Sequence, residues 1–455
     1  MAEIRFTDLN PHGGIGANCN LVEIGPWRIL VDAGLNPQYS GNEAMPDFPL
    51  VTENSIDLIL VTHSHLDHLG ALPVIARRQP DAKILMTAGT AMISGRMLRN
   101  SVQVMKHQRS ELGIAEYPLY TRGEISMLEE RFISMDFMRP RKFGDSENEL
   151  EVELYPSGHI PGAAACRIAH AGREIFFSGD IQFAHQTILD GAYIPDGDTE
   201  ILVMETTRGA TPPNPAGNRD AEVSNLLKTI SEILKRGGSC LVPVFALGRM
   251  QEMLSIIQLS LQNGIIPPCS VYCSGLGMDI VDYFDMLSRK KGYPRFDRRI
   301  LKDLGVRRPT DKIKPGQNPK EKGLYLVSSG MIVEKTPSYK LAASLVGHPE
   351  NGICFIGYCD PATPGGQLKE CKPGDRFYFE ALHHEATVQA SIHNFDLTGH
   401  AERDELLEFA RKKNPQKIIL THGDHDARQW FMENLPGVCT DTIVLNPPPR
   451  ESVTL

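Results

Sequence analysis

The run Thr62-His63-Ser64-His65-Leu66-Asp67-His68 decides the fold, and it follows directly on the apolar run Leu58-Ile59-Leu60-Val61. Neutral ring nitrogens and a carboxylate oxygen are the donor set that zinc and its neighbours take. A short turn after a strand can fan His63 and His65 toward one ion, and Asp67 and His68 toward a second. Two ions about 3.5–4 Å apart can hold a bridging hydroxide and clamp both oxygens of a phosphoryl displacement. A polar loop with scattered histidines is the plainer reading, and four candidate ligands at this spacing weigh against it.

Outward from this run the first half of the chain alternates strands and helices. Asn20–Ile24 and Arg28–Val31 read as a hairpin across Gly25-Pro26, Leu69–Arg78 as a helix, and Lys83–Met86 as the next strand. Met92–Glu130 has helical periodicity. Val152–Tyr155, Arg167–Ala169, Glu174–Phe177 and Ile201–Met204 read as strands, and the proline-rich residues 211–217 as a linker or lid. A second alternation, from Ala221 to about Ile356, suits a parallel sheet. A third segment begins near His384, with a strand at Ala386–Ile392, a helix at Arg403–Lys412, a strand at Lys417–Leu420 and a helix at Ala427–Asn434. Four more His or Asp residues sit just past strands: Asp32, His159, Asp180 and His422. Any one alone would read as a turn residue or a hydrogen-bonded core histidine; together they can converge.

The 455 residues suffice for two or three domains, and 41% hydrophobic and 23% charged residues are ordinary for a globular protein. No apolar stretch reaches a membrane span, and the start Met1-Ala2-Glu3-Ile4-Arg5 lacks the apolar region of a signal peptide. The nine scattered cysteines form no CxxC, so buried thiols in a reducing cytoplasm are expected. Net charge is −9, but thirteen Lys or Arg against four Asp or Glu between Arg289 and Lys322 give that segment +9 and the rest −18. Such a segment is the footprint of a phosphate-binding surface, or else a solvated basic insert.

The chain resembles a metallo-β-lactamase-fold hydrolase. The marks are Asp32 in Val-Asp-Ala-Gly, His63-x-His65-x-Asp67-His68, His159 in Gly-His-x-x-Gly and Asp180 in Ser-Gly-Asp. By that resemblance His63, His65 and His159 hold one zinc, Asp67, His68 and a terminal histidine hold the other, and Asp180 bridges them. Asp32 orients a ligand histidine from behind. The likeness extends to the β-CASP family of nucleic-acid nucleases, through Glu205 in Val203-Met204-Glu205-Thr206-Thr207, His400 in Thr398-Gly399-His400-Ala401 and His422 in Thr421-His422-Gly423. It is closest to the members that act in mRNA 3′-end cleavage and to their bacterial RNA-processing relatives. Pro243 to Glu252 and Ser328-Ser329-Gly330-Met331 look like landmarks of the inserted domain. The chain departs from the family at Thr398-Gly399-His400-Ala401-Glu402, where Ser-Ala-His-Ala-Asp is usual, and at Arg208-Gly209, where Tyr-Gly is usual.

The resemblance implies an α/β protein, a metallo-β-lactamase αββα sandwich with an inserted β-CASP α/β domain whose sheet is mostly parallel. Its domains would be residues 1–207, 208–383 and 384–455, the last completing the first. It implies a zinc-dependent phosphodiesterase that cuts single-stranded RNA with two Zn2+ ions, in sites that also accept Mn2+. Endonucleolytic cutting is favoured over exonucleolytic. Asp67, His400 and Glu205 form the catalytic set, with His400 the general acid and Glu205 its partner. Arg249, Ser328, Ser329 and Lys335 would be phosphate or scaffold contacts. A histidine at position 422 goes with the RNA-cutting members of the family. The competing readings are a DNA nuclease of the same family and a non-catalytic scaffold subunit, and the latter typically lacks ligands that are present here. A small-molecule hydrolase of this fold would lack the insert. A homodimer or a place in a nuclease complex is compatible with the sequence.

Overall fold

The computed structural model describes residues 2–310 and 312–455. The chain separates into two compact units. One comprises the residues up to His185, Asp190–Pro213 and Gly399–Leu455; the other comprises Gln186–Leu189 and Asn214–Thr398.

The first unit is built on two seven-stranded sheets. One runs, edge to edge, Ser452–Thr454, Ile4–Asp8, Asn20–Ile24, Trp27–Val31, Leu58–Leu60, Lys83–Thr87 and Phe132–Met135. The other runs Ile443–Leu445, Lys417–Thr421, Ile201–Glu205, Arg173–Phe177, Ala164–His170, Leu150–Pro156 and Arg141–Phe143. Alternation dictates the packing. Leu150, Val152 and Leu154 are buried while Glu151 and Glu153 between them stay half-exposed. Phe6, Val22, Ile29 and Leu60 of one sheet meet Val152, Ile168, Phe177 and Val203 of the other in a single core. The outer face of the second sheet (Phe176, Leu202, Met204, Leu420) packs on Leu406 and Phe409 of the helix Arg403–Lys413 and on Phe431 of the helix His425–Asn434. The helix Ala88–Leu112 covers the strands Lys83–Thr87 and Phe132–Met135. The result is the expected αββα sandwich.

The second unit has a five-stranded sheet ordered Val271–Ser274, Leu324–Val327, Cys240–Pro243, Gly352–Phe355 and Ser391–Asn394, with every pairing parallel. A short antiparallel ribbon joins Arg376–Phe379 to His384–Thr387. The Sγ atoms of Cys240 and Cys354, on neighbouring strands, lie 3.6 Å apart, and all nine cysteines are free.

Three expectations shift. The helix expected over Met92–Glu130 is two helices: Gly113, at φ 70°, caps Ala88–Leu112, and a Thr121/Glu124 capping box starts Arg122–Glu129. The strand expected at Ala386–Ile392 is two strands that belong to different sheets. The two units divide at 213/214 and 398/399, against the expected 207/208 and 383/384; near the second division, both of those strands pair within the second unit, which runs on to Thr398. No helix among the described residues is long and apolar enough to cross a membrane.

Candidate metal centre

The candidate ligands stand where strands of the first unit end. Asp32 follows Trp27–Val31, Asp180 comes shortly after Arg173–Phe177, His159 after Leu150–Pro156 and His422 directly after Lys417–Thr421. Glu205 closes its own strand. Asp32 and His422 both adopt positive φ, 66° and 46°, which turns each side chain off its strand. His63 and His65 lie on the loop after Leu58–Leu60, and Asp67 and His68 on the single helical turn Leu66–Leu69. Gly34 lets the Asp32 loop seat against that turn, since a Cβ there would lie 1.6 Å from the Asp67 carbonyl oxygen.

Potential ligand atoms gather in three groups; the third is Asp180 with Glu205 and His400, and the first two meet at Asp180. His63, His65, His159 and Asp180 form the first; Asp67, His68 and His422 form the second. Asp180 Oδ2 lies 3.6 Å from His63 Nε2 and 3.7 Å from His159 Nε2, while its Oδ1 lies 3.3 Å from both His68 Nε2 and His422 Nδ1. Each carboxylate oxygen therefore faces one group. Asp67 Oδ2 completes the second, 3.4 Å from His422 Nε2 and 3.8 Å from His68 Nε2.

Hydrogen bonds behind the rings set which nitrogens are free to ligate. His159 Nδ1 donates to the Gly399 carbonyl at 2.7 Å and His68 Nδ1 to Asp32 Oδ2 at 2.7 Å, so both turn Nε2 toward the centre. Asp32 is itself held by Thr62, whose N–H and hydroxyl both donate to Oδ1, at 2.7 and 3.0 Å. His65 Nδ1 sits 3.2 Å from His63 Nε2 and 3.1 Å from His159 Nε2. Two imidazole nitrogens at tetrahedral angles on one zinc would stand about 3.3 Å apart. Asp180 Oδ1 is buried and makes no hydrogen bond of good geometry, although two ring nitrogens lie near it. Burial, with their neighbouring imidazoles, holds His63 and His159 well below the ordinary histidine pKa, and burial takes His65 down to about 4. Rings so lowered are neutral at neutral pH. Burial also opposes charge on His68, but Asp180, Asp32 and Asp67 around it more than offset that and raise its pKa. Neutral ring nitrogens, converging carboxylates and a buried carboxylate oxygen without a hydrogen bond fit a divalent cation, and the donor set is one zinc accepts.

Beside this cluster His400 Nδ1 lies 3.0 and 3.1 Å from the two Glu205 oxygens, and its Nε2 lies 3.9 Å from Asp180 Oδ2. The Ile181 N–H donates to Glu205 Oε1 at 2.7 Å and fixes that carboxylate. Burial pushes the His400 pKa down, while Glu205 and then Asp180 raise it further, to about 8.

Arg249, Ser328, Ser329 and Lys335 all belong to the second unit. Arg249 is buried and bound to Glu252 and to the Leu397 carbonyl, the bonding of a scaffold contact, which is one of its two expected roles. Ser329 Oγ accepts the Met331 and Val333 N–H groups, Ser328 is half-buried and Lys335 is exposed. Thr62 and Asn18, which steady Asp32, were not singled out from the sequence. Nothing in a lone threonine or asparagine marks it as a partner of a carboxylate. Among the described residues no other histidine enters these groups.

A family model described as the metallo-beta-lactamase superfamily matches residues 12–230, and one described as a Zn-dependent metallo-hydrolase RNA specificity domain matches residues 385–436. The chain is 29% identical to RNase aCSPSF2 of Saccharolobus solfataricus, over 91% of this chain and 78% of that protein. It is 28% identical to the transcription termination factor FttA of Pyrococcus abyssi, over 92% of this chain and 67% of that one. A crystal structure of a protein of unknown function from Enterococcus faecalis V583 shares the fold, with a TM-score of 0.59 at 15% identity over 100% of both chains. Both matched segments, and the relatives that span the chain, make it similar to metal-dependent hydrolases of the metallo-β-lactamase superfamily.

Proposed function

We propose that the protein is a ribonuclease that hydrolyses phosphodiesters inside single-stranded RNA. The observation that carries this reading is the Glu205–His400 pair, set 3.9 Å from the carboxylate that faces both ligand groups. His63, His65 and His159 would hold one zinc, Asp67, His68 and His422 a second, and Asp180 would bridge; manganese suits the same donors. When bound, such ions supply Lewis acidity and neutralise the negative charge that builds on the phosphate. The protein's own groups do the rest. Water adds its oxygen to phosphorus while Asp67, whose side chain is 24% exposed, accepts the proton released. The bond to the leaving oxygen breaks as His400 Nε2 gives that oxygen a proton. Glu205 holds the opposite edge of the ring and keeps it charged.

RNA is supported by the description of the model that spans His400 and His422, and by the name of the Saccharolobus solfataricus relative. The nine free thiols suit a reducing cytoplasm. The test is to offer one end-labelled oligonucleotide, as RNA and as DNA, to zinc-loaded wild-type protein and to His400→Ala. We expect internal cuts in RNA and a loss of about 10²–10⁴-fold in the variant. Cutting of DNA alone would overturn the substrate, and stepwise trimming from an end would overturn the mode.

A further inference from the structure

Upstream of His400 the backbone is held by a buried charged cluster that the reaction above does not use. Arg219 and Arg249 each open a helix, Arg219–Lys235 and Arg249–Gln262. Both converge on Glu252, which is 2% exposed: Arg219 Nη2 reaches its two oxygens at 2.9 and 2.8 Å, and Arg249 Nη1 reaches one at 2.5 Å. Each guanidinium also donates to a main-chain carbonyl, Arg219 Nη1 to Thr398 at 2.9 Å and Arg249 Nη1 to Leu397 at 3.1 Å. Arg249 Nη2 donates to Gln186 Oε1, and the Thr187 N–H donates to Glu252 at 3.3 Å.

Burying two arginines on one carboxylate is a poor source of stability, because desolvation offsets much of the attraction. What the arrangement provides is geometry. A planar guanidinium fixes both partners in direction, and here one partner is Glu252 and the other a carbonyl of consecutive residues 397 and 398. Thr398 is bonded to Gly399, and His400 comes next. On the far side the chain is tied by His159 to the Gly399 carbonyl, by Gln182 Nε2 to the His400 carbonyl at 2.9 Å, and by the Ala401 N–H to the Ile181 carbonyl at 2.7 Å.

We propose that Arg219, Arg249 and Glu252 are positioning residues for His400. By fixing the carbonyls of Leu397 and Thr398 they set how the chain enters Gly399-His400, and so the aim of His400 Nε2 at the leaving oxygen. This rests on the ribonuclease reading. The readout that separates positioning from packing is the leaving group. RNA expels an alkoxide that needs a proton, whereas bis(4-nitrophenyl) phosphate expels a phenolate that does not.

The experiment measures kcat and KM of wild type, Arg219→Ala, His400→Ala and the double variant on both substrates, together with zinc per chain. We expect Arg219→Ala to lower kcat on RNA by about 10–100-fold, with KM, zinc content and turnover of the activated diester unchanged. In the His400→Ala background it should add no further loss on RNA. If Arg219→Ala does not fold, Arg219→Lys keeps the charge at Glu252 while shortening the reach to Thr398, and a loss of about 3–10-fold on RNA alone is expected. Equal losses on both substrates, an additive loss in the double variant, or an unchanged kcat on RNA would overturn the inference. Failure of the ribonuclease reading would appear elsewhere, as wild-type protein that leaves RNA uncut.

Discussion

Asp32 touches no candidate ligand atom directly, yet it fixes the ring of His68 and is fixed in turn by Thr62. Removing such an outer carboxylate frees the ring to rotate and to carry its proton on either nitrogen. We expect Asp32→Ala to weaken metal binding by about 10–100-fold, measured by competition with a chelator, while His400→Ala leaves it unchanged. Equal affinity in Asp32→Ala and wild type would show that His68 is oriented by other means. At this scale the sequence is informative wherever chemistry is local. Three histidines and an aspartate within six residues have few other uses, and a histidine or aspartate placed just past a strand has a direction. Arg249 is legible only as important. Its partners lie at Glu252, one turn along its own helix, but also at Gln186 and Leu397, far away in the chain, and only the folded second unit brings them together.

Elements are legible through period. Leu150–Leu154 alternates and Leu58–Leu60 is buried throughout, as strands in half-covered and fully covered positions must be. The long Met- and Leu-rich stretch reads as one helix because periodicity survives across a break; Gly113 ends it, and a glycine at that position is the signal that outweighs the pattern. The segment after His384 misleads for another reason. A single apolar run cannot show that Ser391–Asn394 finds its parallel partner in Gly352–Phe355 while His384–Thr387 turns back on Arg376–Phe379. The helix His425–Asn434 matters most for the site, since it starts three residues after His422 and is anchored by Phe431, which is fully buried against the second sheet. We expect Phe431→Ala to cost about 3–5 kcal/mol in urea unfolding, with zinc content falling in parallel. A cost under about 1 kcal/mol would mean that the helix is anchored elsewhere.

For the whole molecule, the composition excludes little and the distribution of charge says more. In the segment from Arg289 to Lys322, residues Lys312, Lys314 and Lys320 are all exposed. If this segment tracks a nucleic-acid backbone, changing the three lysines to glutamine lowers RNA affinity and reduces the slope of log affinity against log salt by about 0.7 for each phosphate no longer neutralised. An unchanged slope would mark the segment as a solvated basic insert. The fold class is readable because the ligand positions and the length of the insert are both linear properties of the chain. The unit boundaries are not, because they depend on which sheet each strand joins. The most direct measurement is incubation of a covalently closed circular RNA with zinc-loaded protein, with chelated protein and with chelated protein resupplied with zinc. We expect the circle to open to a linear molecule of unit length, to persist after chelation and to open again once zinc is restored. A circle that persists in all three while linear RNA is degraded would contradict internal cleavage, and opening that survives complete removal of metal would contradict the metal centre itself.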